Sequence, residues 1–170
     1  MFVVDTNVLV YAAVEDCPER AACRERLQRW RSGVIPWFTT WPILYETMRV
    51  VTHRRAFRVP WKLARAVEFV NALLASPSMT ILMPTAHHAS VLAQTIVEVP
   101  GLAGSILHDV HTVVLMREHG IHRIVTRDSD FHRFPFLEVV DPLAPEWPDM
   151  VRERGVPASS RARRTTRARR

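Results

Sequence analysis

The sequence has little cysteine, glycine or lysine. Its two cysteines, Cys17 and Cys23, lie six residues apart. They form no CxxC motif and are poorly spaced to pair on one helix, so a disulfide scaffold is excluded and reduced thiols in a cytoplasmic protein are expected. The five glycines fall in neither a GxxxxGK[ST] nor a GxGxxG pattern, which removes the glycine-cradle modes of nucleotide binding. No apolar run is long enough to cross a membrane, and no membrane partner is expected. The apolar stretch from Met1 to Val14 is interrupted by Asp5 and Asn7 and has no basic residues before it, which argues against a signal peptide. There is no internal repeat.

What is present suits one globular domain. The chain has 170 residues, 48% of them apolar, enough to bury a core without cross-links. Charge is unevenly placed. Residues 151–170 carry eight arginines against one acid, Glu153, whereas residues 1–150 carry 15 basic and 16 acidic groups. The body is therefore near neutral and the tail holds the excess. Lys62 is the only lysine. Two readings of the tail stand side by side: contact with phosphates through arginine, or a solvated segment that aids solubility. The expected organisation is a domain over residues 1–143 and a flexible Pro/Arg-rich tail over 144–170.

Hydrophobic spacing predicts alternating strands and helices. Phe2 to Val4 reads as a strand buried on both faces, followed by a helix from Asn7 to Val14. Pro18 to Trp30 reads as a second helix stopped by Gly33, and Val34 to Thr39 as a strand weakened by Pro36. Thr40-Trp41-Pro42 opens a helix, and Pro60 opens another carrying Leu63, Val67, Val70 and Leu74. Met79 to Met83 reads as a strand and His88 to Val97 as a helix. Ser105 is the expected N-cap of the next helix, which ends at Gly120. Arg123 to Thr126 is a strand, Arg127 to Arg133 a polar loop or short helix, and Leu137 to Val140 an edge strand. The expected fold is α/β, a three-layer α/β/α arrangement with a short, mainly parallel central sheet.

Four acids occupy telling places in that pattern. Open α/β sheets put their sites at the carboxyl ends of the strands. Asp5 directly follows the first strand, and Asp128 follows Arg123 to Thr126, with Asp130 two residues on. Glu46 and Asp109 lie inside otherwise apolar helices. Singly, each has an ordinary explanation as a cap or a helix-dipole partner. Together in one cleft they would repel one another, and a divalent cation removes that repulsion. Magnesium takes oxygen ligands and keeps waters, so it suits carboxylates backed by a phosphate substrate.

The same residues carry a resemblance. Asp5-Thr6-Asn7 after an opening strand resembles the start of PIN domains. ETMRVVTH, with Glu46 and Arg49, is similar to the helix bearing that family's second acid. GSILHDVHTVVLMREHGI resembles the segment with the third, Asp109, and IVTRDSDFHRFPFLEVVDPL that with the fourth, Asp128. The stretch from Phe131 through Arg133-Phe134-Pro135 to Asp141-Pro142-Leu143 resembles VapC toxins in particular. The match runs in order over residues 1 to 143. The resemblance implies a ribonuclease, the toxin of a type II toxin–antitoxin pair, with Asp5, Glu46, Asp109 and Asp128 binding one or two Mg²⁺ or Mn²⁺ ions. Asp5 and Asp109 would be direct ligands. Asp128 would ligate directly or through water, and Glu46 would ligate metal or orient the attacking water. Thr6, Asn7 and Thr126 would hold the carboxylates by hydrogen bonds, as would Ser105, where family members often carry an amide. Asp130 would be a fifth acid or a loop stabiliser. Cleavage would leave a 5′-phosphate and a 3′-hydroxyl. The implied partners are an RNA substrate, a cognate VapB-like antitoxin and a second copy of the chain.

Other readings remain open. A PIN nuclease of RNA processing without an antitoxin has the same sequence signature, and a non-catalytic RNA- or protein-binding module shares the fold. An aspartate-nucleophile phosphohydrolase needs an acid where Asn7 stands, which counts against it. Zinc is disfavoured: His108 and His111 share a helix face, but no cysteine or third histidine has fitting spacing. All three histidine pairs, His87-His88, His108-His111 and His119-His122, read as solvated. Among the tryptophans, Trp30 and Trp61 read as core or interface rather than base-stacking platforms. Arg54, Arg55 and Arg58 form a basic cluster that either meets RNA phosphates or is an ordinary solvated turn.

Overall fold

The computed structural model describes residues 1–144. The tail expected over 144–170 lies, beyond Ala144, outside the described residues, as does Trp147.

The short apolar runs form a five-stranded sheet. Its strands are β1 (Phe2–Val4), β2 (Trp37–Thr39), β3 (Met79–Ile81), β4 (Arg123–Val125) and β5 (Glu138–Val140), in the order β3-β2-β1-β4-β5. Every pairing is parallel, with Val3 opposite Phe38 on one side and Ile124 on the other. The sheet is thus wholly parallel and not mainly so. β1 is central, which is why Phe2, Val3 and Val4 are all buried and show no alternation. The edge strands β3 and β5 are the ones that expose a side chain to solvent, Thr80 and Glu138.

Among the described residues, six helices flank the sheet in three layers: α1 (Thr6–Ala13), α2 (Arg20–Ser32), α3 (Trp41–Thr52), α4 (Leu63–Leu74), α5 (His88–Glu98) and α6 (Leu107–Glu118). Helix α1 packs on α2 and α3, α3 on α4, and α5 on α6. Thr40 caps α3, its hydroxyl accepting from the Ile43 N–H, and a proline follows in the first turn. Gly33 ends α2. A Cβ there would lie 2.8 Å from the Arg29 carbonyl oxygen, so no other residue fits without displacement. Gly120 (φ 64°) takes the left-handed turn after α6.

Helix α6 is buried on all sides from Val113 to Met116 and serves as the central helix of the core. Its amino-terminal part, with His108, Asp109 and Thr112, faces a cavity.

Two sequence expectations are corrected. The strand expected from Val34 starts only at Trp37, because Pro36 lacks the N–H a ladder needs and Val34 stands fully exposed. Ser105 does not cap α6. It sits within a 3-10 turn (Gly104–Ile106), and the residue before α6, Ile106, makes no side-chain cap. The 3-10 turn runs directly into the helix, so its own i→i+3 bonds take up the N-terminal groups.

Candidate active site

The carboxyl ends of β1 and β4, the start of α6 and the middle of α3 enclose a cavity of about 540 Å³. Asp5, Glu46, Asp109 and Asp128 all line it, together with Thr6, Asn7, Ser105 and Asp130. All four acids singled out in the sequence therefore meet in one place.

Asp5 is the best held. Its backbone N–H bonds to the Val125 carbonyl, tying the end of β1 to β4. Its carboxylate accepts from the Thr6 N–H (2.7 Å), the Asn7 side-chain amide (2.9 Å) and the Thr126 hydroxyl (2.6 Å). Asn7 also donates to the Thr126 hydroxyl at 2.8 Å, and that hydroxyl accepts from the Asp128 N–H at 2.9 Å. The Asp5–Asn7–Thr126 triangle thus reaches the loop that carries Asp128. Thr6 contributes its backbone N–H and not its hydroxyl. Burial is the main force on the Asp5 proton and raises its pKa to about 6; the Thr126 and Thr6 hydrogen bonds oppose it, and the charges of Asp128 and Glu46 add to it.

Asp128 caps a 3-10 turn (Ser129–Arg133) by accepting from the Asp130 N–H at 2.9 Å. Asp130 is exposed at the cavity rim. Asp109 is half-buried and, among the described residues, its carboxylate accepts no hydrogen bond. Burial raises its pKa to about 7, with further increments from Asp128, Asp5 and Asp130. Glu46 is different. Arg49 grips it with two N–H donors, one at 2.6 Å, which holds its carboxyl below the usual range.

The cavity also contains residues that sequence reasoning passed over. His108, set aside as a solvated histidine, lines the cavity. Tyr11, Thr112 and Phe57 line it too, and none had been singled out for that. A signal for two of them was available: Ser105, His108, Asp109 and Thr112 follow helical spacing, so the face that presents Asp109 presents His108 and Thr112. Phe57 arrives from a turn that no local pattern places.

The donor set is oxygen-only carboxylate. Among the described residues, no group of three or more histidine, cysteine or acidic side chains stands ready as a closed metal cage. A magnesium-like ion needs none, since it uses one or two carboxylates, several waters and substrate phosphate. Two of these acids also hold their protons unusually tightly, because nearby charge and burial penalise the ionised forms. The residues therefore fit a hydrated divalent cation.

The PIN domain family model matches residues 2–137. Ribonuclease VapC43 of Mycobacterium tuberculosis is 34% identical over 143 residues, spanning 84% of this chain and 96% of the relative. Ribonuclease VapC37 of the same organism is 33% identical over 134 residues, spanning 79% and 92%. The chain belongs to the PIN-domain family, in its VapC ribonuclease branch. Solved structures agree on the fold. Mycobacterium tuberculosis VapC20, described as a sarcin-ricin loop cleaving toxin, superposes with a TM-score of 0.59 at 21% identity, covering 83% of this chain and all of that one. A chain of VapBC2 from Rickettsia felis, solved bound to a DNA fragment from their promoter, gives 0.57 at 15% identity, covering 81% and 96%.

Proposed function

We propose that this chain is the toxin of a type II toxin–antitoxin pair, an endoribonuclease that hydrolyses RNA phosphodiesters with Mg²⁺ or Mn²⁺ at the Asp5, Glu46, Asp109 and Asp128 site. The convergence of these four carboxylates on one cavity carries the reading. Kinship with ribonucleases VapC43 and VapC37 supports the chemistry.

Asp5 and Asp109 are the direct ligands in this reading, and Asp128 ligates directly or through water. When bound, the cation supplies a Lewis acid for the phosphate and lowers the pKa of water. The chain's own residues do the rest. Asn7 and Thr126 keep the Asp5 carboxylate aimed into the cavity, at the cost of only short, locally anchored side chains. Glu46 ligates the cation or orients the attacking water, and its Arg49 clamp keeps it ionised. Water attacks phosphorus in line, the bond to the 3′-oxygen breaks, and the products carry a 5′-phosphate and a 3′-hydroxyl.

A VapB-like antitoxin would inhibit by laying an arginine or an apolar helix along the acidic cleft. Neighbours solved as VapBC2 and FitAB support such a partner. A homodimer belongs to the same reading, supported by apolar surface left open on α3 and α4 at Tyr45, Leu63 and Val67. No helix is long and apolar enough to cross a membrane among the described residues, and the reading places the protein in the cytoplasm.

The direct test is incubation with bulk cellular RNA, with and without Mg²⁺ or Mn²⁺, beside an Asp5→Asn variant. Metal-dependent cleavage that disappears in the variant is the expected result. Folded, antitoxin-free protein that cuts no RNA under any metal condition would transfer the assignment to a binding module.

A further inference from the structure

A second depression of about 490 Å³ lies at the carboxyl end of α3, the helix whose middle lines the catalytic cavity. It is lined by Arg49, Thr52, His53, Arg54 and Arg55, with no acid among them. Two features join it to the catalytic cavity. Arg49 lines the depression while gripping Glu46, which lines the cavity. The turn over residues 53–58 presents Arg54 and Arg55 to the depression and Phe57 to the cavity. Among the described residues, the side chains of Arg54 and Arg55 make no hydrogen bond or ion pair and stand exposed. The nearby acids are already engaged: Glu46 by Arg49, and Asp16 by the Arg58 N–H at 3.1 Å.

Concentrated, unpaired positive charge is unusual in a domain whose described part is otherwise near neutral. The helix dipole is unfavourable to anions at the carboxyl end of α3, so any anion held here is held by the side chains. Helical spacing puts Glu46, Arg49 and His53 along one face, so the depression continues the cavity over about two turns of helix.

We infer that this arginine-lined depression is the subsite that binds the phosphate backbone of the RNA next to the scissile bond, with Arg54 and Arg55 as the phosphate contacts. The inference rests on the ribonuclease reading above and adds where the strand leaves the cavity. It also gives the cleavage reaction a salt-dependent component seated in the domain, separate from the arginines of the tail. Phosphate contacts of this kind fix the position and register of the strand and carry no base preference.

The test compares the full chain with Arg54→Ala/Arg55→Ala and with a control, Arg24→Ala/Arg29→Ala on α2, which removes the same charge from outside both depressions. Binding of a fluorescent single-stranded RNA is measured in the Asp5→Asn background, so that nothing is cut, and KM and kcat are measured in the active background. The Arg54/Arg55 pair should weaken binding about tenfold and lower the slope of log affinity against log salt by roughly 1.4, as expected for two lost phosphate contacts on a single strand. KM should rise by the same factor with kcat unchanged, and the control should move neither. RNA binding within twofold of the control would overturn the inference; if capture of polyglutamate then weakens instead, the depression serves an acidic protein partner. Because the binding arm involves no turnover, a chain that binds RNA through Arg54 and Arg55 yet cuts none would contradict the nuclease reading and leave this inference standing.

Discussion

The two walls of the four-carboxylate cavity are built on opposite principles. On the sheet side, Asp5 and Asp128 leave the ends of β1 and β4 and are fixed by a connected set of hydrogen bonds through Asn7 and Thr126. On the helix side, Asp109 has no hydrogen-bond partner among the described residues, and Glu46 is tied to an exposed arginine. The sheet wall is set in advance, because parallel strand ends offer backbone and neighbouring side chains at fixed register. On the helix wall Asp109 carries a carboxylate that no hydrogen bond of the described residues satisfies. Asp109 shows this most clearly: burial and three neighbouring carboxylates push its pKa to about 7, a cost with no internal compensation.

This difference can be broken experimentally. The largest effect belongs to the acids themselves. Asp5→Asn and Asp109→Asn should each abolish metal-dependent RNA cleavage while leaving the fold intact by circular dichroism; retention of wild-type turnover by either would remove that residue from the site. Next come the residues that hold the sheet wall. Asn7→Ala and Thr126→Ala should lower metal affinity or activity by about 10–100-fold. Thr126→Ser, which restores the hydroxyl, should recover most of the loss; equal damage from serine and alanine would point to packing instead.

The helix wall should show itself in stability. In the folded protein Asp5 and Asp109 bind protons more tightly than in the unfolded chain, whose carboxyls titrate near 3.8. Through these two groups folding takes up protons, so their contribution to metal-free stability is greatest at low pH and is lost as pH rises from about 4 through about 6 and 7. The melting temperature of metal-free protein should therefore fall between pH 5 and pH 8. Asp109→Asn should raise it at pH 8 and flatten the decline, by about 2–4 °C for each kcal/mol recovered in a chain of this size. A variant less stable than wild type at pH 8 would show that Asp109 has a partner. The smallest effect concerns Arg49. An exposed pair such as Arg49–Glu46 contributes little to folding, so Arg49→Ala should change stability by less than about 1 kcal/mol. It should nonetheless raise the Glu46 pKa, measurable by carboxyl NMR, since the Arg49 hydrogen bonds are the main cause of its depression.

Much of the sheet wall was legible in the sequence. Val3-Val4-Asp5 and Ile124-Val125-Thr126 declare themselves as buried strands followed by polar residues, and the topology rule for open sheets then places their ends together. Glu46 and Asp109 were legible as acids out of place in apolar helices. What was not legible depends on contacts distant in sequence. Thr126 meets Asp5 across 121 residues; only the family resemblance implied that role, because a lone threonine after a strand has no spacing signature for it. His108 was read as solvated and is exposed, but that its exposed face lines the cavity is not visible until the opposing wall is known. Ser105 was expected to cap a helix, but the 3-10 turn that precedes α6 made a cap unnecessary. Phe57 and Arg54 sit in a turn that is held partly by contacts distant in sequence, among them the Arg58 N–H to Asp16 and the packing of Phe57 against the cluster that holds Val10 and Val14.

The central claim is that the cavity's carboxylates repel one another until a divalent cation joins them. Thermal unfolding of the full chain at pH 8, with and without millimolar Mn²⁺, measures this directly when run beside Asp109→Asn. Mn²⁺ should raise the wild-type melting temperature and leave the variant nearly unmoved. A wild-type protein indifferent to Mn²⁺, or a variant that gains as much from it, would contradict the claim.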